Sequence, residues 1–537
     1  MELAIQLNKR IIPILHVESI DRQIWQERNP DGTDQQWADY QNAGKHSSFT
    51  KMHPVISKIN WIYMREGQDD FEASFQDLLK LLDHEREYVH HHTVLLNQAL
   101  DWQRHQYQHH DLLIGDALQQ AQKWLNIRFT TEQSPCVPTD LHCQFITESI
   151  KNGNNLMTQV FMAYADGDRP LMEAIRRYLW RDGVTVWTSD RDIPSGTDFQ
   201  AAIRLGIEQT DTVLYLISPA SIASSYCQAE LEYALSLKKR VIPILLHSVP
   251  VEDRPLAVRP LQYVDLIEWT GIVLEQEDVE KEAEQNQQDA IASRLDEVGL
   301  IRLIRQDDAY FEQHKVLLVK ALKWGRQHRN PSILLRGYNL RHAGDWLNQA
   351  KAHAMYPPTP LQTEFIEASQ QQPPAQSLDV FISYSRADSD IARQLNDALQ
   401  LQGKRTWFDQ ESIAIAAADF KTEIYQGIRA SDNIVFILSP RSLASPYCAD
   451  EVAYAAQLNK RFIPILYQPI DAQNLPPALK TVQWLDFSHP NEQLERDESE
   501  GKDTHDPAQI FARVFSQFVR ALFTDRDHVR QHTLLSH

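Results

Sequence analysis

Cysteine is almost missing from this chain: 4 residues in 537. That is too few to staple a protein of this size, so disulfides do not organise it, and a reducing, cytoplasmic setting is expected. Glycine is scarce at 17 residues, and none of it forms a phosphate-cradling loop, which excludes the common nucleotide-binding fingerprints. Long apolar runs are absent. The longest reach about six residues, as at 241–246, against the ~20 that a membrane-spanning helix needs, so no membrane partner is expected. Positive charge is in deficit, 53 basic against 73 acidic residues for a net charge of -20, which argues against a nucleic-acid partner. What is present is an ordinary globular mixture, 42% hydrophobic and 23% charged. Its length suits three or four domains of roughly 150 residues.

An internal repeat sets the architecture. Asn8-Lys9-Arg10-Ile11-Ile12-Pro13-Ile14-Leu15 returns as Lys238-Lys239-Arg240-Val241-Ile242-Pro243-Ile244-Leu245, and again as Asn459-Lys460-Arg461-Phe462-Ile463-Pro464-Ile465-Leu466. A second marker follows each copy, at His92-Thr93, His314-Lys315 and His532-Thr533. Offsets of 218 to 230 residues are too long for a solenoid; the repeated object is a domain plus a spacer.

In the third copy, short apolar runs at 379–384, 405–408, 433–438, 462–466 and 481–487 read as strands. Amphipathic stretches at 388–402, 420–429, 448–458 and 507–522 read as helices between and after them. The second copy repeats the order, with strands expected at 160–164, 184–187, 213–217, 241–245 and 264–269, and a solvated acidic insertion at 275–289. Continuous apolar strands alternating with helices imply an α/β fold, a parallel sheet covered on both faces. Ligands on such sheets bind outside the strands' carboxyl ends. The spacers read as helices. Leu95, Leu96, Ala99 and Trp102 recur as Leu317, Leu318, Ala321 and Trp324, and a Pro-rich joint follows.

Several ordered motifs carry a family resemblance. Phe381-Ile382-Ser383-Tyr384-Ser385-Arg386-Ala387-Asp388 resembles the opening of TIR (Toll/interleukin-1 receptor) domains. Trp187-Thr188-Ser189-Asp190-Arg191-Asp192-Ile193-Pro194-Ser195-Gly196 resembles their second strand and BB loop. Ser218-Pro219 with Tyr226-Cys227-Gln228-Ala229-Glu230, and Ser439-Pro440 with Tyr447-Cys448-Ala449-Asp450-Glu451, resemble the turn and the Cys-x-x-Glu helix start. The helical spacers are similar to those in large bacterial multidomain TIR proteins. The resemblance implies a flavodoxin-like five-stranded parallel sheet of order 2-1-3-4-5. The organisation expected is a partial TIR domain at 1–83, a helical spacer at 84–156, a TIR domain at 157–305, a second spacer at 306–376, a TIR domain at 377–525 and the start of another spacer at 526–537.

The resemblance also implies two kinds of function. Some members of the family assemble as adaptors through TIR–TIR contacts in signal transduction. Others, many of them bacterial and acting in defence, cleave NAD+ at the nicotinamide–ribose bond, with NAD+ as substrate and neither metal nor cofactor. In those members the glutamate of the Cys-x-x-Glu position is catalytic, which points to Glu230 and Glu451. A carboxylate beside the ribose suits an oxocarbenium-like transition state. An acid at a helix start is equally explained by the helix dipole. Ser383, Ser385 and Arg386 are the expected substrate contacts, with Trp407 stacking on a base or packing in the core. Asp192, Ile193, Pro194 and Gly196 are the expected BB-loop assembly residues.

The two full copies are defective in opposite ways. The third keeps the serines and arginine of the first loop, but its BB loop at 411–419 lacks the Pro and Gly; the second keeps Pro194 and Gly196 but reads Ala163-Tyr164-Ala165-Asp166 in the first loop. Either the second supplies a loop to the third copy's pocket, or both have decayed. His90, His91, His92, His105, His109 and His110 read as a solvated helix face rather than a metal cluster, and Cys136, His142 and Cys143 make a poor zinc signature. Cys227 and Cys448 read as small buried residues. By alignment the first copy lacks three strands and its glutamate, so residues 1–80 are expected to be poorly stable alone and the chain to be a fragment of a longer array.

Overall fold

The computed structural model describes residues 1–50, 52–129, 134–154, 156–193, 196–267, 290–351, 356–372, 378–408, 420–488, 507–523, 529 and 532–533. The acidic insertion at 275–289 and the BB-loop segment at 411–419 lie outside the described residues. The chain divides into two compact units, residues 1–107 with 120–145, and residues 108–119 with 146–537.

In the first unit, strands β1 (Ile14–Leu15) and β2 (Ile62–Tyr63) pair in parallel, Ile14 opposite Ile62. Helix α1 (Phe71–Asp83) has no buried residue, and α2 (Arg86–Arg104) follows it. Phe71, Phe75, Leu79 and Leu82 of α1 are all exposed. Helix α2 turns Tyr88, His92, Leu95, Leu96, Ala99 and Trp102 inward at helical spacing. This corrects the solvated-face reading for His92: its ring is buried and its Nε2 donates to Val137 O at 3.2 Å. Burial holds it neutral, pushed down to about 4, whereas His90 and His105 stay exposed. Two more helices, α3 (Gly115–Leu125) and α4 (Asp140–Gly153), carry the chain onward.

The middle copy runs β3 (Thr158–Ala163), α5 (Arg169–Arg181), β4 (Val186–Trp187), α6 (Phe199–Glu208), β5 (Thr210–Ile217), α7 (Ser225–Ser236), β6 (Arg240–Leu245), β7 (Val264–Asp265) and α8 (Leu300–Arg305). Its spacer is α9 (Asp308–Arg326), α10 (Gly337–Lys351) and α11 (Pro360–Gln371). The carboxyl-terminal copy runs β8 (Leu378–Ser383), α12 (Ser389–Leu401), β9 (Thr406–Trp407), α13 (Phe420–Ala430), β10 (Ser431–Leu438), α14 (Pro446–Gln457), β11 (Arg461–Leu466), β12 (Leu485–Asp486) and α15 (Pro507–Phe523).

Each full copy is a five-stranded, all-parallel sheet, ordered β4-β3-β5-β6-β7 and β9-β8-β10-β11-β12, which is the expected 2-1-3-4-5 order. The central strands β5 and β10 are buried at every residue, which is why their stretches 213–217 and 434–438 read as unbroken apolar runs. The edge strands are shorter than expected, two residues each. An edge pairs on one side only, and keeping it short limits the unpaired backbone it presents.

The repeated Lys-Arg before the fourth strand is a fastening. Lys239 Nζ donates to Glu208 O and Thr210 O at 2.9 and 2.5 Å; Lys460 Nζ donates to Arg429 O and Ser431 O at 2.8 and 3.0 Å. Burial lowers both amines, to about 7 and about 8. The adjacent arginine reaches the carboxyl end of the closing helix each time: Arg10 to His84 O and Leu81 O, Arg240 to Leu303 O and Ile304 O, Arg461 to Ala521 O. A cation there satisfies carbonyls left over by the helix and opposes its dipole.

Spacer helix α9 continues this joint. Lys315 Nζ pairs with Asp211 Oδ2 at 2.9 Å, and Leu318 lies in the middle copy's hydrophobic core. The two spacers share their bonds: Trp124 Nε1 donates to Tyr88 O as Trp346 Nε1 does to Tyr310 O, and His142 Nε2 to His92 O as Gln362 Nε2 does to His314 O. Among the described residues no helix is long and apolar enough to cross a membrane, and none of their His, Cys, Asp and Glu side chains gather in threes to hold a metal.

Candidate functional site

The carboxyl ends of the strands carry the repeated motifs. Ser218 and Ser439, directly after β5 and β10, cap the short helices Pro219–Ala223 and Pro440–Ala444 in capping boxes. Each serine hydroxyl also donates to a buried aspartate of the first loop, Ser218 Oγ to Asp168 Oδ2 at 2.6 Å and Ser439 Oγ to Asp388 Oδ2 at 2.5 Å. This link ties the first and third strand ends together. Both residues were visible as repeated letters; their pairing was not.

Helices α7 and α14 begin on the caps Ser224 and Ser445, whose hydroxyls accept from Cys227 N and Cys448 N at 3.3 Å. One turn in, Cys227 and Cys448 point into the core. Burial pushes the Cys227 thiol up to about 11, so it is no nucleophile near neutral pH. Tyr226, Glu230 and Tyr233 share another face of α7 at spacings of four and three. That face and Ile203, Arg204 and Ile207 of α6 enclose a cleft of about 380 Å³. Arg204 lies over the Tyr233 ring at 5.5 Å, and Tyr226 projects from the rim, 60% exposed.

The two glutamates meet different surroundings. Ser383 Oγ donates to Glu451 Oε2 at 2.5 Å, so Ser383 and Glu451 are brought together as one buried pair. The residue matching Ser383 in the middle copy is Ala163, which offers no hydroxyl. Glu230 Oε2 accordingly has no hydrogen-bond partner, and burial raises this carboxyl to about 8. Where Arg204 covers Tyr233 in the middle copy, Tyr425 stacks on Tyr454 in the other, rings 4.1 Å apart.

Ser385 is buried and Arg386 half-buried in the turn Arg386–Asp388. Trp407 is a packing residue: its ring stacks on Phe381 at 4.5 Å, and a Cβ at Gly427 would fall 2.6 Å from it. Trp187, Phe161 and Gly206 repeat this arrangement at 4.7 and 2.6 Å. A glycine in mid-helix, found in both copies at Gly206-Ile207 and Gly427-Ile428, was the overlooked signal. In the BB loop, Asp192 is occupied: it accepts from Thr188 N at 2.7 Å and pairs with the buried Lys151 of α4. Ile193 packs on the core, and Gly196 takes the left-handed φ of +84° that favours glycine. Pro194 lies outside the described residues.

The TIR-domain family model matches residues 160–284 and 380–499. The chain carries two TIR domains in tandem. The NAD(+) hydrolase sarm1 of Drosophila melanogaster is 31% identical over 129 residues, 22% of this chain and 9% of that protein. An uncharacterised protein, y4lF, of Sinorhizobium fredii is 35% identical over 127 residues, 22% of this chain and 39% of that protein. The chain thus spans well under half the length of these curated relatives. Among solved structures, the TIR domain of a Toll-related receptor from Hydra magnipapillata aligns at 21% identity and a TM-score of 0.21, covering 27% of this chain and 98% of that one. A TIR-STING receptor from C. gigas aligns at 22% and 0.20, covering 23% and 40%.

Proposed function

We propose that the middle TIR domain binds NAD+ in the α6–α7 cleft and hydrolyses its nicotinamide–ribose bond, with Glu230 as the catalytic carboxylate. The observation that carries this reading is Glu230 itself, a half-buried acid whose Oε2 is buried without a partner beside an open cleft. Such a group is costly to hold empty and is stabilised by a cationic ligand. A nicotinamide ring carries that charge. Its approach draws Glu230 into the ionised form, and the carboxylate then stabilises the positive charge that moves onto the ribose as the bond breaks. Nicotinamide departs neutral, so no general acid is needed, and water completes the hydrolysis. Tyr226 offers an aromatic face for stacking, and Arg204 a guanidinium for the pyrophosphate. The 31% identity to an NAD(+) hydrolase over 129 residues supports NAD+ cleavage as the reaction.

In the carboxyl-terminal TIR domain, Glu451 is already tied to Ser383, and Tyr425 stacks where the other domain has Arg204. This favours a non-catalytic role for it, as a partner in TIR–TIR contacts, rather than a pocket completed by the middle domain's loop. Both roles suit a signalling protein of the cytoplasm. Turnover of NAD+ by the purified chain tests the assignment. Glu230→Gln is expected to lower the rate at least ~100-fold and Glu451→Gln to change it less than about threefold. The reverse order would move the active site to the other domain, and no turnover by the wild-type chain would leave the scaffold reading alone.

A further inference from the structure

One turn of spacer helix α9 holds both TIR domains. Lys323 Nζ pairs with Asp397 Oδ1 of α12, in the carboxyl-terminal domain, at 2.6 Å. Three residues on, Arg326 grips Glu208, the last residue of α6 in the middle domain, with two bonds: Nη1 to Oε2 at 2.9 Å and Nη2 to Oε1 at 2.5 Å. The Glu208 carboxylate is buried, and those donors satisfy its oxygens. It has a further one: Tyr233 Oη donates to Glu208 Oε1 at 2.5 Å. The Tyr233 ring is a wall of the Glu230 cleft. A continuous path of ion pairs and hydrogen bonds, joined by one helix turn, therefore runs from Asp397 through Lys323, Arg326, Glu208 and Tyr233 to the cleft. A neighbouring bond, Asn330 Nδ2 to Gln400 O at 2.8 Å, holds the end of α12 to the same spacer.

The same link cannot form in the other domain. The residue matching Glu208 there is Arg429, and Tyr454 is engaged with Tyr425. The acid–tyrosine link is thus specific to the domain whose glutamate lacks a partner.

We propose that this turn of α9 couples the placement of the carboxyl-terminal TIR domain to the shape of the middle domain's cleft, with Arg326 as a positioning residue. The inference takes its functional meaning from the reading of the cleft given above, but its structural claim can be tested without turnover. In the full chain, amide hydrogen exchange of α6 and α7 is measured for Asp397→Lys, Lys323→Asp, their combination and Arg326→Ala, with NAD+ turnover measured alongside. Asp397→Lys and Arg326→Ala are each expected to speed exchange in α7 by about threefold or more, and the charge-reversed pair to restore it. KM for NAD+ should rise in step while kcat changes less. Should Asp397→Lys perturb folding, as judged by circular dichroism, Asp397→Asn replaces it. If Arg326→Ala loosens α7 but neither Asp397 variant does, Arg326 is only a local brace and the coupling is overturned. If no variant alters exchange, it is overturned as well. If exchange responds as expected but the wild-type chain leaves NAD+ intact, the coupling stands and the hydrolase reading falls.

Discussion

The two TIR domains share a sheet, an order of strands and a set of buried links, yet treat their glutamates oppositely. At the end of its first strand the carboxyl-terminal domain has Ser383, and Glu451 accepts its hydroxyl; the middle domain has Ala163, and Glu230 is left with an unsatisfied oxygen. One hydroxyl separates an acid engaged within the fold from an acid available to a ligand. The links around them are the same: Asp168–Ser218 and Asp388–Ser439, Gly206 under Trp187 and Gly427 under Trp407. The frame is common to the two domains while the surroundings of the glutamates differ, so the retained glutamates alone do not reveal which acid is available to a ligand.

The largest test of that contrast is the pH dependence of stability. Glu230 takes its proton more tightly folded, at about 8, than its ordinary value of 4.5. Unfolded chains therefore ionise first as pH rises, and stability is lost between pH ~4.5 and ~8. Glu230→Gln removes this loss. It is expected to stabilise the chain by roughly 2–4 kcal/mol at pH 9 and by nearly nothing at pH 4, read from denaturant midpoints. An equal gain at both pH values would show that Glu230 is not held protonated.

The shared frame should respond equally in both domains. Gly206→Ala and Gly427→Ala each push a Cβ into a tryptophan and should cost about 1–3 kcal/mol. If either is neutral in thermal melts, the helix–tryptophan contact is looser there. Ser218→Ala and Ser439→Ala, which strip a hydroxyl from a buried aspartate, should each cost about 1–2 kcal/mol. A difference of more than a kilocalorie between the pair would break the claim of a common frame. The smallest expected change is the most pointed. Ala163→Ser gives Glu230 the hydroxyl that Glu451 has, and should lower its pKa by about one unit, seen as a shift in the pH at which stability falls. No shift would mean the hydroxyl is not what distinguishes the two acids.

Much of the fold was legible because it rests on periodicity. Runs such as Val213–Leu214–Tyr215–Leu216–Ile217 can be little other than buried strands, and the repeated Ser-Pro marks the turn that follows each of them. The site was less legible, since its partners are distant in sequence. Ser383 meets Glu451 across 68 residues, and Glu208 meets Arg326 across 118. Nothing local in Glu208 or Asp192 says that each is already spoken for. Trp407 shows the same limit: its sequence leaves stacking on a base and packing in the core both open, and only the structure sets the ring against Phe381 and the bare backbone of Gly427. His92 was misread because three histidines in a row look polar, whereas the helix turns one of them inward with Leu95 and Leu96.

Leu318 has a practical consequence. It sits on a spacer helix, beyond the closing helix of the middle domain, yet it is a core residue of that domain. A domain truncated after Arg305 would therefore keep every strand and its closing helix and still lack that side chain, leaving a void in its core at a cost of about 2–5 kcal/mol. Any shuffling of such modules between genes is expected to respect the later seam, so that what travels as one inheritable piece is the sheet together with the helix that plugs it.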